Sequence, residues 1–158
     1  MSLNRGKGFE AKFAECWRKS FPKGLVYRIP DQMSGFLEVS QNPCDFFAYA
    51  NGRLFMVECK SHKGNSFPIN SEKVFPQYYR LKSYMGLDGV KPGLMLWLME
   101  KDLVAWVPIE SLVDMRESLG IKSVNSDMII KGLYGIVRIP SMKLRVFMDS
   151  DYTAMANL

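Results

Sequence analysis

The sequence predicts an α/β fold, a mixed sheet covered by helices, on three observations. Short apolar runs of strand type alternate with helically periodic segments in the order helix, strands, helix, strands, helix, strands. Near the middle, Asn51-Gly52 separates two apolar runs, a strong hairpin signal because both turn positions need positive φ. And 158 residues, 47% apolar and 23% charged, suit one ordinary domain with one core, excluding disordered, collagen-like and coiled-coil designs.

From Arg5 to Lys19 the residues Phe9, Phe13, Cys16 and Trp17 recur at helical spacing, with Asn4 as N-cap and Pro22-Lys23-Gly24 as terminator. Leu25 to Ile29 reads as a strand and 30–43 as a loop or irregular hairpin. Cys44 to Ala50 and Arg53 to Cys59 are the arms of the Asn-Gly hairpin. Ser71 to Met85 reads as a helix, with Pro76 as a candidate effective start. Gly93 to Met99 and Val104 to Val107 are two strands joined by Glu100-Lys101-Asp102. Ile109 to Leu119 is a helix ended by Gly120, and Tyr134 to Ile139 and Leu144 to Met148 are closing strands. Met1-Ser2-Leu3 reads as a possible cloning scar.

Charge and cysteine content narrow the function classes. The longest unbroken apolar stretch, Leu94 to Met99, is far short of a membrane span, and no apolar leader follows the N-terminus. Three cysteines (Cys16, Cys44, Cys59) fit neither a disulfide framework nor a zinc site, and one histidine supplies triads poorly. The expectation is a reduced, cytoplasmic protein with no membrane partner. The net charge of +5 is uneven. Residues 1–30 hold seven bases against Glu10 and Glu15, and residues 60–91 hold six against Glu72 and Asp88. These basic segments flank an acidic one carrying Asp31, Glu38, Asp45 and Glu58 against Arg53. Scattered solvated lysines are the plain reading; a phosphate-rich partner is the sharper one, because clustered cations bind by releasing condensed counterions.

The chemistry concentrates after the hairpin turn. Period-2 alternation puts Leu54, Met56, Glu58 and Lys60 on one strand face and Phe55, Val57 and Cys59 on the other. A carboxylate and a lysine thus emerge at the end of an apolar strand, where burying either alone is costly, so a partner or a metal is expected. Hairpin pairing brings Asp45 near that end. Two carboxylates and the backbone carbonyl of Cys59 make a hard-oxygen site suited to Mg²⁺ or Mn²⁺. Such an ion polarises a phosphodiester and lowers the pKa of its bound water, and a neighbouring ammonium orients that water or stabilises developing charge. Pro43-Cys44-Asp45, followed thirteen positions on by Glu58-Cys59-Lys60, is the PD-(D/E)XK nuclease pattern. Asp…Glu-x-Lys with a free gap arises by chance in about one chain in three of this size. Its placement on two hairpin strands, behind a helix carrying Glu10, is what gives it weight. The competing reading is a strand-start Asp plus a rim Glu–Lys ion pair.

The wider sequence resembles the RecU-type Holliday-junction resolvases of Gram-positive bacteria and their phages. Asn4-Arg5-Gly6 followed by Glu10 is similar to that family's N-terminal helix signature, and Asp45 with Glu58-Cys59-Lys60 falls at its catalytic spacing. Ser61-His62-Lys63 and Ser66-Phe67-Pro68 resemble its basic loop and the following segment, Gln77 stands where its next helix carries a Gln, and 93–112 and 133–148 resemble its last hairpin, helix and closing strands. The resemblance implies a restriction-endonuclease-like fold over 1–158 and a homodimer that cuts four-way DNA junctions in recombination and repair with Mg²⁺ or Mn²⁺. It implies Asp45 and Glu58 as metal ligands, Lys60 as catalytic lysine, Glu10 assisting the metal or its water, and Gln77 as an active-site neighbour. Arg5 and Lys63 would contact phosphates, and with Lys7, Arg80 and Lys82 they are the candidate DNA-binding residues. Two departures stand out: the basic loop is about a residue shorter, and 30–43 is shorter than the family's projecting stalk. The shortened segment carries no Lys or Arg and offers Met33, Phe36 and Leu37 as an apolar wedge or dimer contact. Two other functions remain open, a non-catalytic DNA-binding protein on a nuclease fold and a PD-(D/E)XK nuclease for other DNA substrates. Trp17, Trp97 and Trp106 are expected in the core, Cys59 with its sulfur on the back face, and His62 as a solvated loop residue.

Overall fold

The structure, a computed structural model, describes residues 4–31 and 42–158. Met33, Phe36 and Leu37 lie outside the described residues. The chain opens with α1 (Arg5–Ser20). Asn4 caps it by accepting from the Lys7 N–H at 3.2 Å, and Arg18 and Lys19 stand in the last turn, opposite the negative end of the helix dipole. Next come β1 (Leu25–Arg28), β2 (Phe46–Ala50) and β3 (Arg53–His62). The β2–β3 turn is the one Asn-Gly predicts, with φ of 51° at Asn51 and 77° at Gly52.

The remaining elements are β4 (Ser66–Pro68), α2 (Tyr78–Ser83), β5 (Val90–Leu98), β6 (Leu103–Pro108) and α3 (Ile109–Val113), which runs into a π-helical turn (Asp114–Ser118). Then follow β7 (Ser123–Asn125), α4 (Ser126–Lys131), β8 (Val137–Ile139), β9 (Ser141–Lys143) and β10 (Met148–Ser150). Six strands form one mixed sheet in the order β1-β2-β3-β5-β6-β8, in which only β3 and β5 run parallel. The small pairs β4–β7 and β9–β10 stand beside it.

Both sheet faces are covered, which explains why the central strands are apolar throughout rather than alternating. On one face α1 lays Phe9, Phe13 and Trp17 over Phe46, Phe55, Val57, Trp97 and Trp106. On the other, Tyr78 and Leu81 of α2 and Leu112 of α3 pack on Met56, Leu94 and Leu96. All three tryptophans are buried, as expected, and so are the three free cysteines. Among the described residues no helix is long and apolar enough to cross a membrane.

Four elements differ from the sequence reading, the first being the strand expected from Tyr134 to Ile139, which spans only Val137–Ile139 after a 3₁₀ turn over Leu133–Gly135. The helix expected over 71–85 is reduced to Tyr78–Ser83: the Phe75 N–H closes one turn onto the Ser71 carbonyl at 2.7 Å, and Pro76 has no N–H to continue it. The helix expected over 109–119 widens after Val113 into a π turn, with the Leu119 N–H on the Asp114 carbonyl at 2.9 Å. Leu144 to Met148 is mostly the β9–β10 turn rather than a strand. Its apolarity comes from Phe147, which packs on Trp97 and abuts Gly8 so closely that a Cβ there would lie 2.2 Å from its ring.

Candidate active site

The site begins where β3 outruns β2. The two strands pair from Ala50↔Arg53 to Phe46↔Val57, and the Asp45 N–H adds a last bond to the Val57 carbonyl at 3.1 Å. Beyond that point β3 continues from Glu58 to His62 beside β5 alone. The Cys59 N–H therefore has no β2 partner, and Asp45 supplies one: its Oδ2 accepts from that N–H at 2.9 Å. The backbone of Asp45 is held from the other side by the Ile29 N–H, which donates to its carbonyl at 2.9 Å. An aspartate at the start of a strand is thus fixed in backbone and side chain together.

Glu58 lies on the same step of the sheet and is 4% exposed. The charge of Asp45 acts on its carboxyl. Lys60 Nζ, two residues on and on the same strand face, stands 3.8 Å from Glu58 Oε1. Burial pushes both carboxyls above the usual carboxylate range. For Glu58 the Asp45 charge adds to burial, against the opposing charges of Lys60 and Arg80. For Asp45 the Cys59 N–H and the Lys60 charge oppose the effect of burial.

α1 crosses this notch and brings Glu10, whose carboxyl is raised by burial and then by the charge of Asp45. Glu10 is not free: Nε and Nη2 of Arg28 both donate to its Oε2 at 3.1 Å, and Nη2 also approaches Asp31 at 3.4 Å. Sequence reasoning missed Arg28. It closes β1 with no motif around it, and only the sheet carries it to α1.

Among the described residues no three His, Cys, Asp or Glu side chains gather into a ready-made metal cage. Two carboxylates and a backbone carbonyl are nevertheless the donor set that a hard cation takes when water and substrate oxygens complete its shell. At buried Glu58 and half-buried Asp45 the effect of burial outweighs the opposing charge of Lys60, so a cation would add counter-charge where it is incomplete. The thiols do not compete as ligands: burial pushes Cys44 up to about 12 and Cys59 far above the usual thiol range. The residues present fit Mg²⁺ or Mn²⁺.

The other expected site residues are distributed as follows. Gln77 sits at the start of α2, its Oε1 buried without a hydrogen-bond partner. Arg80, one turn on, is half-buried and donates from Nη1 to the Asn42 carbonyl. Lys82 is engaged at 2.5 Å by Glu117, which also accepts from the Tyr78 hydroxyl at 3.0 Å. The first turn of α1 lies against the end of β3. Gly6 is close to Ser61, and Arg5 reaches Met99, whose N–H bonds to the His62 carbonyl at 2.9 Å. Lys7 lines a shallow cleft of about 260 Å³ with Glu10, Ala11, Arg28 and Asp31. His62 is half-buried, with its ring edge-on to Phe67.

The same arrangement of elements is found elsewhere. The Holliday junction resolvase Hjc of Archaeoglobus fulgidus superposes with a TM-score of 0.52 over 77% of this chain and 89% of its own, at 17% identity. The chain shares that fold. The restriction-endonuclease-like architecture implied by the sequence resemblance is therefore the one adopted. No family model matches the chain. In sequence it is 31% identical over 104 residues to the SPbeta prophage-derived uncharacterized protein YotM of Bacillus subtilis (strain 168). That match covers 63% of this chain and about half, 52%, of YotM.

Proposed function

We propose that the chain is a metal-dependent endodeoxyribonuclease that cuts branched DNA, four-way junctions in particular, as a homodimer. The observation that carries this reading is the meeting of half-buried Asp45, buried Glu58 and Lys60 at the point where β3 loses β2. The fold shared with Hjc supports it.

Asp45, Glu58 and the Cys59 carbonyl would hold Mg²⁺ or Mn²⁺, which supplies Lewis-acid polarisation of the phosphodiester and a more acidic water. Lys60 places an ammonium beside Glu58, where it orients the attacking water and balances charge developing on the phosphate. Glu10 sits next to Asp45, where, once it leaves Arg28, it assists as a base or through a water. Gln77, at the start of α2, offers an unpartnered acceptor. Arg5, Lys7 and Lys63, all close to the start of α1 or the end of β3, are assigned to DNA phosphates. With these contacts, affinity should fall steeply with salt, and an Arg5/Lys63 double substitution should flatten the log–log slope by roughly 2. Two opposed strands must be cut in a two-fold symmetric junction, which two copies related by a dyad would satisfy.

The deciding experiment incubates the protein with four-way junction, flap and matched linear duplex DNA, with Mg²⁺ and with EDTA. Mg²⁺-dependent cleavage biased to the junction is expected. Equal cleavage of all three would leave a general nuclease of this fold. Tight binding with no cleavage in Mg²⁺ or Mn²⁺ would leave a DNA-binding protein.

A further inference from the structure

Asn42 gathers three separate segments at the edge of the site. Its side-chain Nδ2 donates to the Pro30 carbonyl at 2.8 Å, just beyond β1. Its own carbonyl accepts from Arg80 on α2. Three residues later the chain reaches Asp45. Pro43 and Cys44 between them have little freedom: Pro43 has its φ set by its ring, and Cys44 is buried with its thiol donating to the Phe46 carbonyl at 3.1 Å.

Besides that tether, three residues before Asp45, Arg80 is half-buried against the carboxylate pair's own segment. Its charge acts on Glu58, where it works alongside Lys60 against burial. Its Nε is buried without a partner, and so is Oε1 of Gln77, one helical turn earlier. These are two of the four such buried atoms among the described residues, one a donor and one an acceptor. Beside the apolar face that Tyr78 and Leu81 turn to the core, Gln77 and Arg80 thus bring two polar atoms inward, and Arg80 is the charged one. As Lys82 shows, an exposed cation in this region finds a carboxylate of its own; Arg80 instead spends one arm on a backbone carbonyl.

We propose that Arg80 is a positioning residue of the carboxylate pair: tethered to the Asn42 carbonyl, it braces the approach to Asp45 against α2 and presents its charge to Glu58. This deepens the nuclease reading, on which the assignment of the pair as ligands rests. Arg80 itself is placed on neither metal nor DNA. A guanidinium suits the task because its planar fork binds a carbonyl with one nitrogen while the others remain directed elsewhere, which an ammonium does less well.

The test uses Arg80→Gln and Arg80→Lys in the full chain, read first through the Cys59 amide. That N–H is bonded to Asp45, so its hydrogen exchange reports on the aspartate without any need for activity. In Arg80→Gln it should accelerate about 10-fold or more relative to the Val57 amide, with partial recovery in Arg80→Lys. If Arg80→Gln is unstable, the same ratio is read in Arg80→Lys. Mn²⁺ affinity by calorimetry and kcat on junction DNA should each drop about 10-fold or more, with KM changed less than about 2-fold. An unchanged Cys59-to-Val57 ratio in the folded variants would overturn the proposal. So would a loss of DNA affinity with a smaller salt slope and undisturbed Cys59 exchange, which would make Arg80 a phosphate contact. Should the wild-type protein neither bind Mn²⁺ nor cleave DNA, the nuclease reading fails, and Cys59 exchange still decides the role of Arg80.

Discussion

The two halves of β3 are built from one strand and behave as different materials. From Arg53 to Val57 it lies between β2 and β5, and its residues from Phe55 onward are buried apolar side chains. From Glu58 to His62 it keeps β5 but loses β2, and Glu58, Lys60, Ser61 and His62 appear. A missing strand leaves N–H groups to be satisfied and space beside them; here a side-chain carboxylate fills the first need and converging polar groups line the second. The proposed chemistry sits where the sheet runs out of partners, and the apolar half keeps those groups at fixed spacing.

The largest expected effect breaks the second half alone. Asp45→Asn or Glu58→Gln removes one ligand charge at nearly constant volume, and cleavage should fall by at least about 100-fold. Thermal unfolding of the metal-free variant should be unchanged or shifted upward, since the change also removes one of two mutually repelling acids at the end of β3. Cleavage assays paired with melting curves check both, and wild-type rates in either variant would remove the site assignment. Lys60→Ala should abolish turnover but leave Mn²⁺ binding, which calorimetry separates.

The converse experiment breaks the apolar half. Gly93 on β5 lies opposite Val57, and a Cβ there would come within 2.6 Å of the Trp106 ring and 2.7 Å of the Val107 carbonyl. Backbone cannot move aside as a side-chain tip can, so Gly93→Ala should destabilise by about 1–3 kcal/mol. Denaturant unfolding measures it, and a loss below the error of that measurement would mean the sheet yields locally.

A smaller effect comes from pH. Glu58 and Asp45 both have folded-state pKa values above their ordinary ones, so between those limits the native state binds more protons than the unfolded one. Stability of the metal-free protein should therefore fall as pH rises through the window from about 4.5 to about 8 for Glu58. Mg²⁺ or Mn²⁺ should offset that loss, more at the alkaline end than at the acid end. Melting curves across this range with EDTA and with metal check the sign, and a metal-free Tm that climbs over the window would contradict it. The smallest expected change is Cys59→Ala. The side chain points into the core on the α1 face and its backbone forms the site, so cleavage should stay within about 2-fold, with about 1 kcal/mol of stability lost.

The hairpin was legible because its signals are local. Asn51-Gly52 fixes the turn, the turn fixes the register, and register brings Asp45 to the end of β3. The amphipathic repeat of α1, ended by Pro22-Lys23-Gly24, was legible for the same reason. The shortened α2 was half-legible, since Pro76 announced the break but the single turn before it has helical composition.

What the sequence by itself determined is therefore the arrangement set by neighbours along the chain: an α/β class, the Asn-Gly hairpin, and Asp45, Glu58 and Lys60 on its two arms. Tertiary structure alone decided where the other long cations land. Arg28 closes onto Glu10 across 18 positions, Arg80 onto Asn42 across 38, and Lys82 onto Glu117 across 35. A long, flexible cation carries no periodicity and no fixed spacing to its partner. Its role is set by which surface the packed sheet and helices bring within reach, and that is decided only when the core has closed.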